Sequence, residues 1–345
     1  MSHAYSNVET FVPRLSPASL SSMRKDMVDL TPFFPPEGQL LHTPENRAAC
    51  ASSGGLLQAM AAGTVLEGTA LLCDQEHNLT VSLGNGILGT IPREEAALGI
   101  AEGTTRDIAL LSRVSKPVVF LVTGFETLPD GRTRARLSRR AAQALCRSRH
   151  LDLLRPGDIL PAKVTRLESF GAFCDIGCGV SALLPIAGIS VSRISHPADR
   201  LAVGMDILAV LASWEGDRFC LSQRELLGTW EENVAGFAPG DTVAGIVRSV
   251  EEYGVFVELT PNLAGLAEPR EGVRPGQLAG VYIKSILPEK MKMKLILIDA
   301  QESAPPPELP RYFLTGGHID RWIYSPAACP RRIETVFDET TGTEM

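Results

Sequence analysis

The pair Gly157-Asp158 recurs 83 residues later as Gly240-Asp241, and the chain that follows keeps this offset without a gap. The stretch SFGAFCDIGCGVSALLP (169–185) lies over EYGVFVELTPNLAGLAE (252–268), with Phe170 over Tyr253, Gly171 over Gly254 and Phe173 over Phe256. A more divergent copy comes earlier. NLTVSLGNGILGTIP (78–92) sits 93 residues before GAFCDIGCGVSALLP and matches Gly84 with Gly177, Gly86 with Gly179 and Pro92 with Pro185. Self-similarity at a fixed period means that one supersecondary unit is built several times over. Three units are expected, over residues 63–145, 155–228 and 238–300, each the size of one small β-barrel.

Within unit two, apolar runs at 159–167, 172–176, 181–186, 205–212 and 218–223 are separated by Gly, Pro and polar residues, the pattern of five short strands. Five strands in a unit of this size predict an OB-type barrel. The fold class is therefore mainly β, with three tandem five-stranded OB-fold barrels and short connecting helices. The connection 187–204 carries Ile189, Val191 and Ile194, which predicts a short helical turn plugging the barrel end. Unit three shortens that connection to about 270–277 and leaves its end less filled.

Residues 1–42 hold many Ser and Pro and read as extended or disordered. A helix is expected over 43–62, with Thr43 as its cap, Pro44 in its first position and a weak point at Gly54-Gly55. A second helix, 138 to about 154, links units one and two. Segment 302–345 begins with the proline-rich spacer ESAPPPELP and continues into an aromatic tail. Its Tyr312, Phe313, Trp322 and Tyr324 are expected to dock on unit three, because large aromatics chiefly supply buried area.

Composition supports this architecture and narrows the function. The 31 glycines and 24 prolines in 345 residues favour turns over long helices. A net charge of −7 argues against a protein that coats nucleic acid by bulk electrostatics, so any binding surface must be local. The seven cysteines are odd in number and scattered, which suits a reducing compartment. Cys174 and Cys178 have no second Cys/His pair at zinc spacing, so neither a metal nor a cofactor is expected. The N-terminus lacks a basic start followed by an apolar run, and no stretch approaches the roughly 20 apolar residues of a membrane span. A soluble, cytoplasmic protein is expected.

The aromatics of the repeat carry its chemistry. Residues three apart in a plain strand face opposite ways, but Gly171 permits a bend that brings Phe170 and Phe173 to one face, where unpaired bases can stack. Tyr253, Gly254 and Phe256 repeat that arrangement. These residues resemble the S1 RNA-binding domain family, to which the repeats of ribosomal protein S1 belong. Its pattern is a Gly-Asp start, an aromatic-Gly-x-Phe second strand, a Gly-Leu-x-His third strand and a last strand close to Arg-x-x-Leu-Ser. Unit two offers Gly157-Asp158, Phe170-Gly171-Ala172-Phe173 and Arg218-Phe219-Cys220-Leu221-Ser222.

The resemblance implies that Phe170 and Phe173 face RNA and that Arg218 pairs with a phosphate. Pro185 stands where the family has histidine, and Trp214 where it has an acid. Trp214 either stacks on a base or packs at the barrel rim. In unit three, Tyr253 and Phe256 keep the aromatic positions, Glu268 replaces the histidine and Lys292 replaces the arginine. Lys290, Lys292 and Lys294 would share one face by strand alternation. Unit one has His77 and Thr80 at the aromatic positions. It compensates with charge, because 131–150 holds seven arginines and no acid, including Arg132, Arg134 and Arg136 on its fifth strand. These three are expected to contact a phosphate backbone.

No P-loop, no strand-borne Gly-x-Gly-x-x-Gly and no His-Glu-x-x-His occurs, and the repeats fill nearly all of the chain, so no catalytic site is expected. The leading expectation is a binder of single-stranded messenger or ribosomal RNA acting in translation or RNA metabolism, with the ribosome as a further partner. The second is a protein-interaction scaffold that docks on the ribosome or another partner with little RNA affinity of its own. Oligomeric state is not encoded in any feature above.

Overall fold

A computed structural model describes residues 34–129, 131, 133–302 and 309–337. Its strands form three closed barrels. Unit one contains β1 (Leu66–Cys73), β2 (Leu79–Gly84), β3 (Ile87–Ile91), β4 (Pro117–Thr127) and β5 (Thr133–Ser138). Unit two contains β6 (Ile159–Glu168), β7 (Gly171–Asp175), β8 (Ser181–Pro185), β9 (Asp206–Glu215) and β10 (Arg218–Ser222). Unit three contains β11 (Thr242–Glu251), β12 (Gly254–Thr260), β13 (Leu263–Ala267), β14 (Leu278–Leu287) and β15 (Lys292–Gln301). A short ribbon, β16 (Arg321–Ile323) and β17 (Glu334–Val336), closes the tail.

Each barrel has the spatial order 1-2-3-5-4, antiparallel throughout except for the parallel contact of strands three and five. The repeated Gly-Asp has a clear job in that closure. The Asp158 carboxylate accepts from Arg155 N at 2.7 Å, and that of Asp241 from Ala238 N at 2.7 Å, fixing the turn that enters strand one. Gly157 N donates to Leu211 O and Leu211 N to Asp158 O. Gly240 and Asp241 make the same exchange with Ile283.

Strand four explains why the barrels are not separate beads. In β4, Val118 and Phe120 enter unit one's own core, while Val119 and Leu121 pack into that of unit two. In β9, Ile207, Ala209 and Leu211 fill unit two, whereas Leu208, Val210 and Ala212 join unit three's core. Both faces are thus buried, and each larger aliphatic removed from water contributes roughly 1.5–3 kcal/mol.

Polar groups complete the seams. At the first, Gly179 O accepts from Arg139 and Gln143 of the helix Arg139–Arg149, and Cys178 N donates to Pro35 O. Glu37 lies buried between Arg139 (2.6 Å) and Arg113 (3.0 Å). At the second, Asn262 in the β12–β13 turn accepts from Val191 N at 2.9 Å and donates to Arg224 O and Gly228 O at 2.8 Å. Glu258 is held there by Arg200 and Arg248.

Several sequence expectations need correction. Residues 34–41, expected to be extended or disordered with the rest of 1–42, pack at the first seam, where Phe34 is buried in unit two's core. Residues 1–33 lie outside the described part. The helix expected over 43–62 is two helices, Pro44–Cys50 and Ser53–Ala62. The break falls before Gly54 because the Ser52 side chain accepts from Gly55 N and restarts the helix as a cap. Thr43 caps the first helix by accepting from Asn46 N.

In the 187–204 connection, Ile189 and Ile194 pack into unit two, but Val191 turns outward to unit three. The tail docks along unit two and the second seam. Ile159 N donates to Gly317 O, and Ile319 N donates to Gly157 O. Tyr312 Oη accepts from Leu208 N at 3.0 Å and meets Gln223 at 2.9 Å, and Tyr324 Oη donates to Asn262 O. A β-carbon on Gly157 would stand 2.3 Å from Ile319 O, so the docked tail itself requires that glycine. Spacer residues 303–308 lie outside the described part. Among the described residues no helix is long and apolar enough to cross a membrane.

Candidate nucleic-acid interface

One outward row of side chains recurs across all three barrels. In unit two the register aligns Arg166, Phe173, Leu183, Cys220 and Ser213 on neighbouring strands. Unit three places Ser249, Phe256, Leu266, Lys294 and Ser285 in those positions. Unit one has Leu72, Thr80, Thr90, Arg136 and Gly124. In each barrel strand one carries a bulge beside this row, at Leu71, Thr165 or Arg248, which sets the register of the residue facing strand two.

Phe170 reaches the row from a hairpin tip. Glu168 pairs with Gly171, so Ser169 and Phe170 form a two-residue loop and the Phe170 ring folds back over the strand. It meets Phe173 edge to face, with centroids 6.1 Å apart at 89°, and Tyr253 meets Phe256 at 6.1 Å and 88°. The hairpin rings are open to solvent, with Phe170 53% and Tyr253 67% exposed. Large rings left this exposed while aliphatics fill the interior point to a ligand-facing surface.

Gly171 does not supply the expected bend. A β-carbon there would stand 2.5 Å from Leu184 O, and one on Gly254 2.5 Å from Ala267 O. Close strand approach demands the glycine, and the hairpin loop provides the geometry. Sequence reading missed Arg166. Its guanidinium lies over Phe173, 5.0 Å from the centroid, and pairs with Glu168 at 2.8 Å. An arginine one strand across from the aromatic position was the available signal.

The remaining expected residues separate. Arg218 is exposed and lies two residues before Cys220, on the same outward side as Phe173. Trp214 is paired with Phe219 on the opposite side, its ring stacked at 6.2 Å and 14°. Phe219 is buried in unit two's core, so Trp214 packs the rim and does not join the aromatic row. Lys292 and Lys294 are exposed on β15, but Lys290 belongs to the turn Pro288–Lys290. Met291, with φ of 48°, breaks the alternation expected to align all three.

In unit one Arg136 is exposed, and Arg134 donates to Thr90 Oγ1 at 3.3 Å. Arg132 lies outside the described residues. By register Arg136 takes the place of Lys294, and Arg134, two residues earlier, that of Lys292. His77 occupies a left-handed turn position and Thr80 faces outward, so this barrel has the row without the rings.

Barrels with this strand order make the chain a tandem OB-fold protein. Residues 153–219, which make up most of unit two, match the S1 RNA binding domain. It is 31% identical over 188 residues to the small ribosomal subunit protein bS1 of Staphylococcus saprophyticus, covering 49% of this chain and 48% of that one. The bS1 protein of Staphylococcus epidermidis is 33% identical over the same shares. The chain thus spans about half the length of the curated relatives it matches. Among solved structures, a multidomain protein with nucleic acid binding domains from Streptococcus pneumoniae is 15% identical. It covers 68% of this chain and 73% of its own at a TM-score of 0.24.

Proposed function

We propose that this protein binds single-stranded RNA through the outward rows of units two and three and acts in translation or RNA metabolism in the cytoplasm. The observation that carries the reading is the twice-built edge-to-face pair, Phe170 with Phe173 and Tyr253 with Phe256, at the same spacing and angle. Bases stack on such rings whatever their identity, at roughly 1–3 kcal/mol each. Arg166 and Arg218 in unit two, and Lys292 and Lys294 in unit three, supply local positive charge on a chain whose net charge is −7. Arg134 and Arg136 of unit one extend the phosphate contact without stacking. The resemblance to bS1 supports messenger or ribosomal RNA as the class of RNA bound and the ribosome as a further partner.

Tyr312, Trp322 and Tyr324 are packed within the molecule and leave little of the tail's aromatic surface for a protein partner, which favours direct RNA contact over the scaffold reading. Titration of the full chain with a labelled single-stranded RNA tests the proposal. Phe170→Ala with Phe173→Ala is expected to weaken binding at least about fivefold, and affinity should fall as salt rises. Unchanged affinity in that double variant and in Tyr253→Ala with Phe256→Ala would remove the mechanism.

A further inference from the structure

The outward face of strand four is buried in units one and two and open in unit three. Val119 and Leu121 of β4, and Leu208 and Val210 of β9, pack into the next barrel. On β14 the outward positions are Gly280 and Tyr282, and Tyr282 is 38% exposed. Tyr282 pairs with exposed Ile296 on β15, two residues beyond Lys294 of the aromatic row. Lys284, Lys292 and Lys294 are exposed on the same two-stranded ribbon.

This face differs from the seam faces of β4 and β9, because Gly280 stands where β9 has Leu208. Gly280 offers no aliphatic surface. Units one and two follow strand five with helical segments that grip the next barrel's strand-two to strand-three turn, namely Arg139–Arg149 and Arg224–Leu227 with Trp230–Val234. Toward the hairpin end of the ribbon the ring is followed by Lys284 and Lys294, with Lys292 further on, while Asp299 faces Gly280 on its other side. An aromatic ring with lysines along one direction matches a stacked base whose phosphates run toward the hairpin.

We infer that Tyr282 is a second stacking platform of unit three, taking a base of the same single-stranded RNA that occupies Tyr253 and Phe256. The inference rests on the RNA-binding reading and lengthens the path across unit three from strand two to strand four. It gives unit three a longer footprint than unit two, whose equivalent face is covered.

The test measures binding of oligouridylates of increasing length to the full chain. Tyr282→Ala is expected to weaken binding of long oligomers at least about fivefold while leaving the shortest bound oligomers unaffected, and Tyr282→Phe to bind as the parent does. Thermal melting checks that both variants stay folded. Equal affinity of Tyr282→Ala and parent at every length, with Tyr253→Ala still weakened, overturns the inference and leaves the RNA reading standing. Absence of RNA binding by the parent overturns both. If sedimentation shows that the parent self-associates and Tyr282→Ala does not, the face is an interface between copies and the inference fails.

Discussion

The guanidinium of Arg166 covers the ring of Phe173, its central carbon 5.0 Å from the ring centroid, while Glu168 anchors it from 2.8 Å. On the proposed reading, an incoming base would meet a charged plane joined to an aromatic one. Arg166→Ala is expected to weaken RNA binding and to lower the salt dependence of the affinity by about one counterion. Its thermal stability should barely change, since an exposed cation–π contact contributes only about 0.5–1 kcal/mol. Titrations at several salt concentrations check this, and an unaltered slope would place Arg166 outside the interface.

Asn262 is a buried side chain whose amide joins three backbone groups across the second seam. Asn262→Ala removes those bonds and leaves two carbonyls and one N–H without partners. Each orphaned group costs about 1–3 kcal/mol, so a loss of about 3 kcal/mol or more is expected in urea unfolding. A loss below about 1 kcal/mol would mean that water reaches the seam and replaces the amide.

Glu258 sits between Arg200 and Arg248, all three largely removed from solvent. Glu258→Ala leaves two buried guanidinium groups facing each other and should destabilise the chain by about 3–5 kcal/mol. Replacing all three with apolar residues of similar volume should recover most of that loss, because the penalty comes from unpaired charge. Calorimetric melting of the single and triple variants separates the two effects.

Glu67 faces the first seam, where it accepts from Gly38 N and from Leu41 N at 2.6 Å. Burial raises its pKa from 4.5 to about 7, outweighing those hydrogen bonds. Between these values the folded chain retains a proton that the unfolded chain has released. Stability from this group is therefore full below the unfolded value and declines as pH rises through the folded one, by at most about 1.4 kcal/mol per pH unit. Burial also opposes ionisation of Glu37, but Arg139 and Arg113 outweigh it and hold that pKa low, so its contribution is lost only under acid conditions. Denaturant midpoints measured from about pH 5 to about pH 8 should fall for the parent and run flatter for Glu67→Gln. Parallel curves for the two proteins would refute the assignment.

The barrels were legible because a repeat preserves what closure needs. Gly-Asp marked the entry to strand one, and aromatic-Gly-x-Phe marked the two hairpins that carry the exposed ring pairs. What escaped notice was how one unit meets the next. The runs Val118–Val122 and Ile207–Ala212 are apolar without alternation, which signals strands buried on both faces. Leu278–Lys284 alternates more, the sign of a face left open. Trp214 could not be placed from sequence because its side depends on the bulge that skips Ala212 in β9. Lys290 was misplaced because a left-handed Met291 cannot be inferred from alternation.

A strand shared between two cores also fixes how the binding surfaces stand to one another. With β9 serving units two and three at once, the aromatic platforms cannot swivel as on a flexible tether. On the proposed reading, an RNA strand held on one platform would meet the other as an intramolecular partner, at an effective concentration set by the rigid spacing. The array would then act as a chelator whose bite is built into its core, retaining RNA long enough to span both platforms far more firmly than two short pieces.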